Sequence, residues 1–229
     1  MKSFIAEDSF WELFPQAAIG VVVVKGMKPA AQIPQEDVDA IAALLDRANI
    51  DAERHLTSDT ISENAPVKAW REAYRLFKTK KGARCSVENL LKRVLKGKPV
   101  GHITPAVDIY NTISLTYALP VGGEDLHAVE GNLRLAVTNG GDAFLPLGEE
   151  ADDPTLPGEL AISMMRAPCA VAGTGAMAFA RRCPTIRLTH FWRLNAWSPS
   201  GWGTARPRSI AWPSCSSAIW ERRSSLRRL

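Results

Sequence analysis

Between Thr104 and Phe144 the hydrophobic period of the chain changes from helical to strand-like, which restricts it to a fold that packs both element types together. Thr104 suits a helix cap and Pro105 its first turn. Val107, Tyr110, Ile113 and Tyr117 recur at helical spacing, and Leu119-Pro120 closes the element. Val121-Gly122-Gly123 follows as a glycine turn where backbone can approach a ligand. Leu133, Leu135 and Val137 alternate as a half-buried strand, and Gly140-Gly141 predicts a turn into a second strand through Phe144. Asp108 and Asn111 stand three apart, so the predicted helix brings them together on one face.

The upstream half adds a strand and three helices. Ile19 to Val24 is a β-branched run bounded by glycines, which predicts a buried central strand. Pro34-Gln35-Glu36-Asp37 opens a helix with acids in its first turn and an inward stripe of Val38, Ile41, Leu45 and Ala48. Val67, Trp70, Tyr74 and Phe77 predict a second amphipathic helix. Ser86 is read as the cap of a third, with Val87, Leu90, Leu91, Val94 and Leu95 inward and Gly97 as its stop. A basic loop, Lys78 to Lys81, joins these two, and 149–157 reads as an acidic, proline-punctuated surface loop. The pattern predicts an α+β fold, a layered β-sheet domain with packed helices over residues 1–160, followed by an irregular tail over 161–229.

Several function classes are excluded as expectations. No apolar run is long enough to span a membrane, and the acids of MKSFIAEDSFWELF interrupt what would be a signal-peptide core. Cys85, Cys169, Cys183 and Cys215 lack metal-ligand spacing, so no metal is expected and free thiols in the cytoplasm are. No P-loop or dinucleotide fingerprint is present, and no cofactor is expected.

The order of elements resembles the B3/B4 domain of the bacterial phenylalanyl-tRNA synthetase beta subunit. In that family a run of the form P-I-N-N-V-V-D-I-T-N is followed by L-G-Q-P-x-H-A-F-D and then G-x-I-x-V-R-x-A, G-E-x-x-x-T-L-D-G. The counterparts here are HITPAVDIYN, ALPVGGEDL and GNLRLAVTNGGDAFLPLG. The likeness is closer to free-standing B3/B4 proteins, whose upstream signature matches Ile61 to Phe77 and Ser86 to Lys98 here.

The resemblance implies tRNA or aminoacyl-tRNA as partner, with hydrolysis of mischarged tRNA in trans by a positioned water; DNA is not expected. A non-catalytic module for tRNA or an amino-acid-like ligand is the alternative, and an inactive product is a third. Asn111 matches the asparagine after threonine in V-D-I-T-N, which places it in the pocket with Asp108 beside it. Tyr110 and Gly122 stand where the family carries threonine and histidine, and Gly123 completes the turn. That exchange removes a hydroxyl and an imidazole suited to holding a water, and His127 is offset from the position, so no residue is assigned a catalytic role. Arg71, in the signature WREAY, is a candidate for bidentate binding of a carboxylate or phosphate. Lys78, Lys80, Lys81 and Arg84 form the basic cluster of the body and are candidates for RNA contact.

The net charge of +4 averages two unlike compositions. Residues 1–160 hold 17 Lys and Arg against 23 Asp and Glu, whereas 161–229 hold 11 Arg, one acid (Glu221) and five of the seven tryptophans. Such a tail is either a nucleic-acid arm or out of frame. Its codons favour the second: read from each third base, Cys169 to Ala178 permits a C-R-R-W-N-W-R-D-G run like that of free-standing B3/B4 proteins. The frame is therefore expected to be lost near Leu160 to Ser163.

Overall fold

The computed structural model describes residues 3–24, 26–124, 129–144 and 150–164, and the backbone of 168–171, 189–194 and 217–220. The chain begins with strand β1 (Phe4–Ala6), a short helix α1 (Asp8–Leu13) and strand β2 (Ala17–Val22). β2 begins two residues before the predicted run, and its burial alternates, with Ala17, Ile19 and Val21 inside. It therefore packs one face on the core.

Four helices follow: α2 (Gln35–Asp51), α3 (Ala65–Ala73), α4 (Ser86–Leu95) and α5 (Pro105–Tyr117). Leu45 and Ala48 of α2, Val67 of α3, Val87 and Leu91 of α4 and Leu115 of α5 form one apolar cluster. Ser86 lies inside α4, whose N-cap is Cys85 with no side-chain cap bond. At the other end Gly97 takes φ 65°, its N–H bonds Val94 O at 2.9 Å, and Lys98 N–H bonds Arg93 O at 2.9 Å. That pair of bonds ends a helix on a left-handed residue, as the glycine stop predicted.

α5 begins as expected, with Thr104 accepting a bond from Val107 N. Its buried face differs. Val107, Asp108, Asn111, Ser114 and Leu115 are buried, while Tyr117 is 39% exposed. Polar groups occupy the inward face, so an apolar stripe drawn through Tyr110 and Tyr117 points about one residue away from it.

Strands β3 (Val121–Gly122), β4 (Leu133–Val137), β5 (Leu160–Ser163), β6 (Pro168–Val171), β7 (Thr189–Leu194) and β8 (Ser217–Trp220) complete the order. One sheet runs β1-β4-β5-β6, with β1 parallel to β4 and the other pairs antiparallel. The second runs β3-β7-β2-β8 and is antiparallel throughout. The architecture is α+β, with β2 central in its sheet. Phe10, Phe14, Ile19, Val21, Leu133, Leu135, Leu160 and Ile162 form the second apolar cluster, between the sheets and α1.

Two predicted features are corrected. Gly122 belongs to the extended segment β3, which pairs with β7, rather than to a tight turn. No strand runs through Phe144. Gly140 and Gly141 take φ 83° and 81°, and the chain curls back so that Gly141 N–H bonds Thr155 O and Gly158 N–H bonds Thr138 O, both at 2.8 Å. The tail supplies the backbones of β6, β7 and β8. The packing of its tryptophans, the side chains of Cys169, Cys183 and Cys215, and residues 172–178 of the run Cys169 to Ala178 lie outside the described residues, as does His127. No helix among the described residues is long and apolar enough to cross a membrane.

Candidate functional site

The first site is built where α5 packs against β3. Asp108 is 4% exposed and fully engaged: one oxygen accepts Ile103 N–H at 3.0 Å, the other meets His102 Nδ1 at 3.1 Å. The Asp108 carboxylate thus ties the HIT segment to the first turn of α5. Its role is to hold backbone.

Asn111, one turn on, is different. It is 8% exposed, yet its amide has no hydrogen-bond partner among the described residues. Its amide atoms are not among the fully buried unsatisfied ones, so they reach solvent and leave their donors and acceptor open to a ligand. Tyr110 beside it is half-buried; burial, then the charges of Asp108 and Glu124, raise its phenol above the ordinary value. It is therefore a neutral donor at physiological pH.

Glu124 is the member that the sequence reading passed over. It follows Gly123 directly, where the chain leaves β3, and burial pushes its carboxyl up to about 8. Its side chain has neither hydrogen bond nor ion pair among the described residues. The available signal was an acidic pair, Glu124-Asp125, preceded by Val121-Gly122-Gly123 and followed by Leu126. Tyr110 and Glu124 lie close enough for their charges to interact, and the Glu124 carboxyl, at about 8, can take or give a proton.

The remaining candidates gather elsewhere, around α3 and α4. Arg71 makes a bidentate pair with Glu88 of α4, at 3.0 and 2.6 Å, and this bond raises its pKa. Glu88 is 3% exposed and also lies 3.5 Å from Arg84 Nε. Two segments singled out in the sequence, WREAY and SVENLL, are thus joined by one ion pair. Glu88 was missed as a functional partner, although its place next to Val87 and three before Leu91 puts it on the inward face.

The basic cluster is divided. Lys80 is tied to Asp153 at 2.7 Å and lies 5.9 Å from the ring centroid of Phe144. Arg84 turns to Glu88 and its own loop, while Lys78 and Lys81 are exposed. Local acids therefore balance much of its charge. No group of three or more His, Cys, Asp or Glu among the described residues is placed to hold a metal. Cys85 is buried, and burial pushes its thiol up to about 12, which makes it inert.

Residues 69–178 match the family model described as the B3/4 domain, a span that takes in both sites. No curated protein matches the chain.

Proposed function

From the premise that the chain carries a B3/4 domain over residues 69–178, we propose that its α5–β3 site recognises the aminoacyl end of a tRNA. A B3/4 domain is of the phenylalanyl-tRNA synthetase beta type, which supports an RNA-associated role. The observation that carries the reading is Asn111, a nearly buried amide with no hydrogen-bond partner among the described residues. An aminoacyl ester presents the carbonyl and amine that such an amide can bond, and Tyr110 and Glu124 add a donor and a proton-accepting group. Lys78 and Lys81, exposed and unpaired, suit the phosphate backbone of the same ligand.

Glu124 favours a second reading, hydrolysis of the ester. A carboxyl near pH 8 takes a proton from an attacking water as its own charged form becomes accessible, the task assigned in the family pattern to groups this chain lacks at Tyr110 and Gly122. The test is titration of the protein with a non-hydrolysable aminoacyl-tRNA analogue, followed by deacylation of mischarged tRNA. Asn111→Ala is expected to weaken analogue binding at least tenfold with unchanged unfolding; equal binding by the variant refutes the site. Binding without deacylation, in wild type and Glu124→Gln alike, selects the non-catalytic module.

The body through residue 160 is proposed to carry this role in the cytoplasm, with the tail 161–229 proposed to be out of frame, a reading against which the family match over residues 161–178 counts. Sequencing the encoding DNA around Leu160 decides that point. An alternative frame that does not encode a C-R-R-W-N-W-R-like run overturns it.

A further inference from the structure

A cleft of about 240 Å³ opens between α3 and α4, lined by Trp70, Arg71, Arg75, Thr79, Arg84 and Glu88 among others. Its donors and acceptors do not balance. Three guanidinium groups surround one carboxylate, and that carboxylate is already held by Arg71 and approached by Arg84. Each guanidinium has five N–H donors. Arg71 uses two of its five on Glu88, so three remain. The Arg75 guanidinium, the Thr79 hydroxyl and the Trp70 indole N–H make no hydrogen bond or ion pair among the described residues. The cleft thus holds a surplus of donors and of positive charge, with an aromatic ring in its wall.

We propose that this cleft binds a phosphate monoester carrying a planar ring, the chemistry of a mononucleotide. A tetrahedral phosphate presents three free oxygens to donors converging from Arg71, Arg75, Arg84 and Thr79, where a planar carboxylate offers two. The guanidinium forks match phosphate geometry, and Trp70 supplies a stacking face for the ring. Glu88, nearly buried, fixes Arg71 in advance, so less side-chain freedom is lost on binding. The volume lies just below the roughly 300–1,000 Å³ of typical small-molecule sites, which suits one nucleotide unit rather than a chain of them. The inference stands apart from the α5–β3 reading and survives its failure.

The test is calorimetric titration of the full chain at low salt with adenosine 5′-monophosphate, adenosine, inorganic phosphate and a short oligoribonucleotide bearing a terminal phosphate. The monophosphate is expected to bind, with adenosine at least tenfold weaker. Arg75→Gln and Arg84→Gln, both on exposed residues, are each expected to weaken it about tenfold, the loss of one charge-assisted contact. If the oligoribonucleotide binds more tightly than the free monophosphate and displaces it, the source is an RNA end; if not, it is a free nucleotide. Either ranking supports the site. Silence of both the monophosphate and inorganic phosphate at millimolar concentration overturns the proposal, as does binding that both variants leave unchanged.

Discussion

Cutting the Arg71–Glu88 pair from its two ends should give unequal losses, because the two partners are unequally buried. The Glu88 side chain is 4% exposed and that of Arg71 35%. Arg71→Ala leaves a buried carboxylate whose remaining cation, Arg84 at 3.5 Å, is itself 46% exposed. Removing one partner of a buried pair costs about 3–5 kcal/mol, and the residual Arg84 contact places this case near the lower end, at about 3 kcal/mol. Glu88→Gln leaves instead a guanidinium that can turn to water. Two charge-assisted bonds are weakened, but rehydration offsets most of the loss, and about 1 kcal/mol is expected. Urea unfolding at pH 7, read as a shift in midpoint with the slope unchanged, separates the two. A Glu88→Gln loss equal to or larger than the Arg71→Ala loss refutes the reasoning.

Glu124 should make the folded state prefer acid. Its carboxyl is raised from 4.5 to about 8, so folding takes up a proton; the resulting stabilisation is complete below about pH 4.5 and is lost as pH rises through about 8. Glu124→Gln, compared with wild type by thermal melts, should therefore gain relative stability across that window, while a constant difference would place the carboxyl in water. Gly140→Ala should cost about 2–4 kcal/mol, since at φ 83° its Cβ would lie 2.5 Å from Pro157 Cδ and from Pro157 N. Chemical denaturation measures that loss, and a neutral result would mean that the 140–157 contact yields freely. Asn64→Ala should cost about 3 kcal/mol or more, because the fully buried amide accepts from Thr57 N and Ser58 N and donates to Ser58 O, Thr60 O and Ile61 O. Faster hydrogen exchange confined to 57–61 would show the same loss locally, and unchanged exchange would contradict it.

The helices were legible along the chain because their causes are local. Thr104 and Pro105 open α5, Gly97 closes α4, and the spacings of Leu45 and Ala48 or Val87 and Leu91 name the inward faces of α2 and α4. Strand β4 was legible for the same reason, since Leu133 and Leu135 alternate with Arg134. Asn111 was legible as a candidate through the motif around it. What could not be read there depends on partners distant in sequence. The pairing of β1 with β4 joins Phe4 to Leu133, and no local period announces it. That Gly122 lies in a strand follows from its pairing with β7, and that Phe144 does not follows from the bonds of Gly141 and Thr155. Asp108 and Asn111 look alike as neighbours on one helix face, yet His102 and Ile103 occupy the first and leave the second free. Arg71 read as a free cation until Glu88, seventeen residues on, reached it across two helices. Local sterics and hydrophobic spacing act within a turn or two and are written in order along the chain. Hydrogen-bond satisfaction and burial of charge are settled only when distant segments meet, and at Asn111, Glu88 and Glu124 it is this that decides which polar group is structural and which remains open to a ligand.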